Sequence, residues 1–358
     1  MSKIIELKGN SKMGNGIEGK KKLLPILTVV VVIGSLLTGC GSKAKVSSGS
    51  KFMGVASATV RFKVGTTTAP DGHYVKGLQE MQKLLEKYSD GEMTLDIYPN
   101  SELGNERDMI ESVGLGIQEM ALVSTGPFPN FCPNWSVLDL PYLFEDAQEA
   151  YRKLDGENGQ ALLEELSKIR IKGIGFWENG FRQLTNDSVE VCKPEDVNGI
   201  KVRTMENTIH MATYQELGAS PTPMAWSEIF TALQQGTVDG QENPIAIIDS
   251  AKVYEVQRYC SMINLFYSPC VLIINEKLYD NFTPKQKDAF DRAAEEAKTW
   301  QREYSQLYNE EGLKHMQEQG VTITEVNQEE WIEAAQGVYG DVEKFGLSQE
   351  LVDAWTED

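Results

Sequence analysis

A segment between residues 199 and 244 carries side chains suited to holding an anion. Arg203 ends a short apolar strand pattern that begins at Ile200, and its guanidinium is a planar fork of donors that matches a carboxylate. The carboxyl end of a strand in an α/β sheet faces the crevice where ligands usually bind. The pattern therefore predicts that Arg203 binds a carboxylate, and the alternative is an ordinary surface ion pair.

The elements that would position this arginine alternate between strands and helices. Residues 60–123 show the order strand, helix, strand, helix, strand, with helix patterns at 75–88 and 106–114. This order is typical of a parallel sheet covered by helices. We therefore predict an α/β fold.

The rest of the chain continues this pattern and ends in a long helix. A broken helix and four strands are predicted at 146–169, 171–177, 200–202, 259–265 and 271–274. A helix pattern then runs from Pro284 to Gln319, and at 1.5 Å per residue it would span about 54 Å, longer than one domain needs. The alternative is two helices with a kink near 310–312.

The N-terminus has the composition of an export signal. A basic region at 20–22 precedes an apolar stretch at 23–37, which is shorter than the roughly twenty residues of a membrane span. The small residues before Cys40 are similar to the processing site of a lipoprotein signal, which would make Cys40 the lipid-bearing first residue. An uncleaved helical anchor is the alternative, and Met13 could be the true start instead of Met1.

Residues 1–39 are thus a predicted lipoprotein signal peptide. Residues 40–58 are rich in Ser, Gly, Lys and Ala, and are predicted to form a flexible tether. The roughly 300 residues that remain exceed one ordinary core and favour two domains.

The charge of the chain excludes some classes of partner. Of 34 basic and 53 acidic residues, six lysines and two glutamates lie in residues 1–39, so the remainder carries 28 and 51, a net charge of −23. This argues against nucleic acid as a partner. Because salt screens charges over about 8 Å, local arginines and not the net charge would decide the affinity for an anion.

Cysteines and histidines form no pattern typical of a metal site. The four cysteines after Cys40 contain no CxxC pair, and the three histidines are scattered, so neither a metal nor a cofactor is expected. Whether Cys260 and Cys270 pair is left open, and buried thiols that remain unpaired are the default expectation for Cys132, Cys192, Cys260 and Cys270.

A series of ordered motifs carries a resemblance to a known family. The motifs in the anion-binding segment are Lys201-Val-Arg203, Gly218-Ala-Ser-Pro-Thr-Pro223, Ser227-Glu-Ile-Phe-Thr-Ala-Leu-Gln-Gln-Gly236 and Val238-Asp-Gly-Gln-Glu-Asn-Pro244. Those outside it are Tyr98-Pro-Asn-Ser-Glu-Leu-Gly104, Leu138-Asp-Leu-Pro-Tyr-Leu-Phe144, Trp177-Glu-Asn-Gly-Phe-Arg182 and Tyr254-Glu-Val-Gln257. From about Val60 into the C-terminal helices, the chain resembles the DctP-type substrate-binding proteins of tripartite ATP-independent periplasmic (TRAP) transporters.

The resemblance implies a two-lobed periplasmic-binding-protein-like fold, with a cleft between the lobes and a long C-terminal helix bridging them. Lobe I would cover 59–182 with part of 272–320, lobe II would cover 183–271, and the helices of 284–358 would pack across both. The lipoprotein-like signal would anchor the protein by lipid to the outer face of the cytoplasmic membrane, and a monomer is expected. This monomer would bind an organic acid and deliver it to the TRAP permease subunits.

The resemblance also implies roles for individual residues. Arg203 would clamp the substrate carboxylate, and Asn243 would hydrogen-bond the ligand, with a turn-stabilising role as its alternative. Arg182 could reach the same anion, or form a salt bridge beside the hinge. Trp226 stands where relatives often carry phenylalanine and could stack on a sugar ring, or pack in the core.

Five further residues are candidates for polar lining of the cleft. His73 would cap the first helix near the cleft mouth, or be an ordinary surface histidine. The others are Glu102, Ser124, Thr125 and Tyr267.

Several functions remain in competition. A sugar acid such as a hexuronate is favoured as ligand because Trp226 offers a ring face, and a C4-dicarboxylate is the alternative. A ligand sensor for a receptor kinase would share the fold. An extracellular hydrolase using Asp239 and Glu242 is disfavoured because the chain has no GxSxG or HExxH motif, so no enzymatic activity is expected.

Overall fold

The structure, a computed structural model, describes residues 60–357. The predicted signal peptide, the tether and the lipidation predicted at Cys40 lie outside these residues. Among the helices within 60–357, none is both long and apolar enough to cross a membrane.

Strands and helices alternate along the described chain. The strands are β1 Val60–Gly65, β2 Met93–Tyr98, β3 Met120–Ser124, β4 Ile171–Phe181, β5 Gln183–Asn186, β6 Lys201–Thr204, β7 Ser220–Pro223, β8 Gly240–Asn243, β9 Tyr259–Met262, β10 Tyr267–Asn275 and β11 Thr322–Glu325. The α-helices are α1 His73–Tyr88, α2 Glu106–Leu115, α3 Ala147–Asp155, α4 Glu157–Glu165, α5 Thr208–Glu216, α6 Ile229–Gln234, α7 Ile245–Ser250, α8 Glu276–Asp280, α9 Pro284–Glu318, α10 Gln328–Ala335 and α11 Gln349–Thr356. Short 3₁₀ segments cover Phe128–Asn130, Pro133–Asp139, Leu166–Ile169, Pro194–Val197, Trp226–Glu228, Val253–Glu255 and Gln336–Phe345.

The first sheet has five strands in the order β2-β1-β3-β10-β4. β1 is parallel to β2 and β3, as predicted. β10 is antiparallel to both β3 and β4, so the parallel arrangement predicted for residues 60–123 does not extend to the other two strands of the sheet. The cause is connectivity, because β10 enters from the second sheet and not through a helical crossover.

The second sheet has six strands in the order β11-β9-β5-β8-β6-β7. β6 is parallel to its neighbours β7 and β8, whereas β5 runs antiparallel to β8 and β9. β7 contains Pro221 and Pro223, and it is stable as a strand because it lies at the sheet edge, where a missing N–H donor is tolerated.

The chain crosses between the two sheets at adjacent points. β4 of the first sheet continues into β5 of the second with Arg182 between them, and β9 returns to β10 through residues 263–266. The backbone N–H of Arg182 donates to the carbonyl of Phe266 at 2.9 Å, which ties the two crossings together. The two sheets define a two-lobed α/β fold.

The long helix α9 is one continuous helix of 35 residues, which settles the alternative of two helices. Its first turn begins with a capping box in which Thr283 and Gln286 satisfy each other's backbone N–H groups. It packs on α1 and β4 of the first lobe and on α7 beside the second sheet. The predicted bridging C-terminal helix is therefore present.

Four of the cysteines lie within the described residues, and all four are unpaired. Cys260 and Cys270 are in different sheets, since one is in β9 and the other in β10. Cys132 is buried with them, but Cys192 is exposed, so the expectation of a buried thiol is wrong there.

Candidate functional site

A cavity of about 340 Å³, including its open mouth, lies between the two sheets. Residues from the first lobe and from the second line it: Thr67, Thr68, Tyr74, Glu106, Ser124, Asn179, Arg182, Arg203, Met205, Trp226, Asn243 and Ile247. A wider groove at its edge shares Thr67 and Trp226 with it and continues along Phe230.

The cavity is placed by the carboxyl ends of strands. Ser124 ends β3, Asn243 ends β8, and Arg203 is the penultimate residue of β6. In α/β sheets, the crevice outside these strand ends is the usual ligand site, because the strands end together and leave a gap between their loops. The topology therefore brings together residues that are far apart in the sequence.

Arg203 is buried in this cavity, and only some of the N–H groups of its guanidinium are hydrogen-bonded. Its Nε and Nη2 donate to the carbonyl of Met224 at 2.8 and 2.6 Å. Among the described residues, it has no ion-pair partner within 4 Å, and Nη1 makes no hydrogen bond. Burial lowers the pKa of Arg203 to about 10, since its charge is desolvated without a direct counter-ion.

Arg182 also lines the cavity, but its charge is already paired. Its Nε and Nη2 both donate to the carboxylate of Glu242, and Nη2 reaches the Glu242 carbonyl at 2.7 Å. Glu242 is fully buried, and although burial opposes it, Arg182 and His210 lower the pKa of Glu242 to about 2. The structure thus shows the salt bridge that was the alternative for Arg182, at a position that still faces the cavity.

Asn243 and Trp226 lie against the two arginines. The Asn243 Oδ1 accepts from Arg182 Nη2 at 3.0 Å, and its Nδ2 donates to Gln241 Oε1 at 2.6 Å. One amide hydrogen and one oxygen lone pair of Asn243 therefore remain for a ligand. The Trp226 ring centroid is 6.0 Å from the Arg203 guanidinium carbon, so the indole is a wall of the cavity.

Glu106 faces the arginines from the first lobe. Ser124 donates to the two oxygens of its carboxylate, from the backbone N and from Oγ, both at 2.7 Å. Burial raises the pKa of Glu106, and the two bonds from Ser124 partly oppose that shift. Ser124 was predicted for the site, whereas Glu106 was missed because an acid in the first turn of a helix is common for purely structural reasons.

Two polar atoms of the cavity wall lack a partner. Thr68 Oγ1 and Asn179 Oδ1 are buried and make no hydrogen bond within the described part of the chain. Buried polar groups in native proteins are normally hydrogen-bonded, so both positions suit a ligand that carries hydroxyl groups. Asn179 belongs to the Glu-Asn-Gly-Phe-Arg182 motif, and this motif could have identified it as a site residue. Nothing in the sequence singles out Thr68.

Four of the predicted site residues are not among the residues that line this cavity. His73 begins α1 but is fully buried, with its ring against Tyr74 and Tyr308, and burial lowers its pKa to about 3. It is therefore neither a surface residue nor a group at the cleft mouth, and Gly72 holds the cap position.

The other three predicted residues face elsewhere. Glu102 is exposed. Thr125 is buried and its Oγ1 donates to the Pro269 carbonyl at 3.2 Å, whereas the buried Tyr267 hydroxyl donates to Glu178. These hydrogen bonds link β10 to the end of β3 and to β4 within the first sheet.

The carboxylates considered for hydrolysis do not form a pair in the cavity. Glu242 is committed to Arg182, and Asp239 accepts the backbone N–H of Lys201 at 2.9 Å. Across residues 60–357, no group of three or more His, Cys, Asp or Glu side chains could hold a metal ion.

The sequence matches bacterial extracellular solute-binding protein family 7, called DctP, over residues 64–344. It is 33% identical over 269 residues to the 2,3-diketo-L-gulonate-binding periplasmic protein of Escherichia coli, covering 75% of this chain and 81% of that one. It is 31% identical over 290 residues to the C4-dicarboxylate-binding periplasmic protein of Rhodobacter capsulatus, covering 79% and 87%.

The fold matches solved TRAP periplasmic solute-binding proteins. A Polaromonas protein bound to D-erythronate has 39% identity and a TM-score of 0.80, covering 83% of this chain and 98% of that one. The sugar acid binding protein of Advenella mimigardefordensis, in complex with galactonate, has 34% identity and a TM-score of 0.80 over the same shares of 83% and 98%. A Sulfitobacter protein with bound β-D-galacturonate has 27% identity and a TM-score of 0.80, covering 83% and 100%.

This chain belongs to the DctP family of TRAP solute-binding proteins. Proteins of this family are extracytoplasmic, bind small organic acids and work with membrane permease subunits.

Proposed function

We propose that this protein binds a sugar acid, meaning a hydroxylated monocarboxylate, and delivers it to the TRAP permease. The observation that carries the proposal is the buried guanidinium of Arg203, which has no ion-pair partner among the described residues. An isolated buried charge is costly unless it is paired, so the site favours a ligand that brings a carboxylate.

The opposite wall favours a ligand with several hydroxyl groups. The unpartnered Thr68 Oγ1 can donate to or accept from a hydroxyl, and Asn179 Oδ1 and the Glu106 carboxylate can only accept from one unless Glu106 is protonated. A polyol chain or a sugar ring supplies such hydroxyls along its length. A pocket built for hydroxyl groups rejects ligands that lack them, because its own polar groups are then left unpaired.

The indole of Trp226 favours a ligand with a ring. Stacking on an aromatic face contributes about 1 kcal/mol, which corresponds to about a fivefold preference. A hexuronate in its ring form would gain this contact, and the similar protein from Sulfitobacter holds β-D-galacturonate. An open-chain aldonate would rely on the hydroxyl-binding wall instead.

A C4-dicarboxylate fits less well, because its second carboxylate would face Glu106. Two carboxylates at close range repel each other, and burial strengthens that repulsion. Dicarboxylates are nevertheless included in the test, because the similar protein from Rhodobacter capsulatus is a C4-dicarboxylate-binding protein.

A thermal-shift panel tests the ligand class. D-galactonate, D-erythronate and D-galacturonate should each raise the melting temperature more than succinate or malate at equal concentration. A ligand at a hundredfold its Kd adds about 2.7 kcal/mol to the stability, which is an easily measured shift. If succinate stabilises the protein more than every sugar acid, the dicarboxylate alternative replaces this proposal.

The proposal also covers the attachment to the membrane, the oligomeric state and the fate of the ligand. Cys40 is proposed to carry the lipid anchor, and the protein is proposed to act as a monomer without altering its ligand. Intact-mass analysis and light scattering of membrane-extracted protein would test the first two points. Recovery of chemically unchanged acid after prolonged incubation would test the third.

A further inference from the structure

A buried histidine lies outside the cavity, between carboxylates of the two lobes. His210 on α5 is fully buried, with Nε2 at 3.2 Å from Asp139 Oδ1 and Nδ1 at 3.6 Å from Glu242 Oε1. Asp139 ends a 3₁₀ segment that packs in the core of the first lobe, whereas Glu242 is in β8 of the second sheet. His210 therefore lies at a point where the two lobes meet.

The ring is held in place by packing, and its contacts to the carboxylates depend on charge. It stacks on Phe266 with ring centroids 4.0 Å apart and 10° between the planes. Neither ring nitrogen makes a hydrogen bond within the described residues. The two carboxylate distances are those of ion pairs, so their strength depends on protonation of the imidazole.

Protonated His210 places a positive charge beside Asp139 and Glu242, in a network whose other buried cations are Arg182 and Arg203, since Arg203 is also electrostatically coupled to Glu242. Arg182 carries one positive charge, whereas Glu242 and Asp139 carry two negative charges, all three in side chains at most 1% exposed. Burial on its own lowers the pKa of His210, but Asp139 and Glu242 outweigh it, and the pKa of His210 is raised. Tyr214, one turn along α5, is electrostatically coupled to Glu242 and Arg182, and no other charged side chain of the described residues forms an ion pair with His210.

This network continues directly into the cavity. Glu242 holds the guanidinium of Arg182, and Arg182 Nη2 donates to Asn243 Oδ1 at 3.0 Å. Both Arg182 and Asn243 line the cavity, whereas His210, Glu242 and Asp139 lie behind it. Two further hydrogen bonds join the lobes beside His210. Asn207 Nδ2 donates to Asp139 Oδ2 at 2.7 Å and to the Gly126 carbonyl at 2.9 Å.

We propose that protonated His210 is a positioning residue for the anion site, which offsets the charge of Glu242 and thereby leaves Arg182 positive towards the ligand. This inference rests on the proposed binding of an anionic ligand. Loss of the proton removes the positive charge beside Asp139 and Glu242, so the cavity becomes less favourable for an anion. Ligand affinity is consequently linked to the protonation of His210.

The direction of the pH effect follows from the raised pKa. The contribution of His210 is fully present below the ordinary histidine pKa of about 6.5 and is lost as the pH rises through the raised value. Arg203 stays charged over this window because its pKa is about 10. Affinity for the anion should therefore fall with increasing pH, by at most about tenfold per pH unit for one linked proton.

The experiment has two arms. In the first, NMR follows the three histidine rings of the ligand-free protein from about pH 6 to about pH 9, with His210→Asn for assignment. The His210 signal should keep the charged-state shift to a higher pH than an ordinary histidine. A His210 that is neutral throughout, or that titrates at or below the ordinary value, overturns the proposal whether or not a sugar acid binds.

In the second arm, calorimetry measures D-galactonate affinity over the same pH range. The native protein should bind less tightly as the pH rises, whereas His210→Asn should bind about tenfold more weakly at low pH and show a flat profile. His315→Asn is the matched control, because His315 also contacts an aspartate, Asp249 at 2.6 Å, but lies outside the cavity. Its profile should match that of the native protein.

The outcomes separate this inference from the proposed function. A native protein that binds D-galactonate with pH-independent affinity overturns the role of His210 and leaves the sugar acid proposal standing. A native protein that binds no sugar acid overturns the proposed function, and the first arm still decides the charge of His210. Circular dichroism and the unfolding midpoint of His210→Asn establish that the variant is folded.

Discussion

In the proposed function, Glu106 is the residue whose charge disfavours a dicarboxylate relative to a sugar acid. Its carboxylate, anchored by Ser124, faces a cavity that also contains the unpaired guanidinium of Arg203. A ligand with one carboxylate can bring that group to Arg203 and present hydroxyls to Glu106. A dicarboxylate of similar length places like charges together, which is unfavourable in a partly buried site.

Glu106→Gln should therefore reduce the preference for sugar acids over dicarboxylates. The amide removes the negative charge, so succinate affinity should rise about three- to tenfold, while sugar acid affinity should fall by a similar factor because one strong acceptor is lost. Calorimetric titration with D-galactonate and succinate measures both changes.

The exposed Glu102 provides the matched control for this variant. Glu102→Gln changes the same charge on the neighbouring loop, outside the cavity lining, and should leave both affinities unchanged. An unchanged ratio in Glu106→Gln would show that repulsion by Glu106 does not exclude dicarboxylates.

At the scale of residues, more of the cavity lining could be predicted from the sequence for the second lobe than for the first. Arg203 and Asn243 belong to motifs of the family, Trp226 lies between two such motifs, and all three line one cavity. Tyr267 and His73 have suitable chemistry, but their side chains point into the core, and the direction of a side chain depends on packing that local sequence does not show. The pairing of Arg182 with Glu242 depends on a contact between residues 60 positions apart.

At the scale of elements, helix α9 is hydrogen-bonded to β4, the strand that leads into the crossing between the two sheets. Gln301 on α9 accepts the backbone N–H of Glu178 at 2.9 Å and donates to its carbonyl at 2.8 Å. Helix α1 lies so close that a Cβ at Gly77 would be 2.5 Å from Gln301 Cγ and 2.7 Å from Trp177 Cζ3. The absence of a side chain at Gly77 is thus required for the approach of α1 to α9.

Gly77→Ala should destabilise the protein by about 1–3 kcal/mol, although alanine is the better helix former. The added methyl group overlaps Gln301 and Trp177, so either Gln301 must move away from the backbone of Glu178 or Trp177 must move from its place on β4. Chemical denaturation measures the change in the free energy of unfolding. Gly340→Ala is the control, because no atom lies within 4 Å of a Cβ there, and a loss of stability that is no greater at Gly77 would contradict the packing argument.

The elements themselves were largely predictable from hydrophobic periodicity. The three strands and two helices of residues 60–124 and the single helix from Pro284 agree with the patterns. The antiparallel placement of β10 and the proline-containing edge strand β7 were not predictable, because both depend on long-range pairing and position within a sheet.

For the whole molecule, the arrangement predicts closure of two lobes on an anion. The chain crosses between the sheets around Arg182 and at residues 263–266. We predict a hinge at 182–200 and 265–272, since the segments that cross between the lobes must absorb the rotation. Each wall of the cavity belongs to a different lobe, so a ligand bound by Arg203 and Glu106 together would hold the lobes closed. The hinge and the lobe boundaries stay predictions.

The most direct test of the central claim is calorimetric titration of the native protein and of Arg203→Lys with D-galactonate. Lysine keeps the charge but loses the bidentate fork, so affinity should fall about 30- to 150-fold while the unfolding midpoint is retained. Arg258→Lys, an exposed arginine paired with Asp187, should bind as the native protein does. A folded Arg203→Lys variant with unchanged affinity would contradict the assignment of Arg203 as the carboxylate-binding residue.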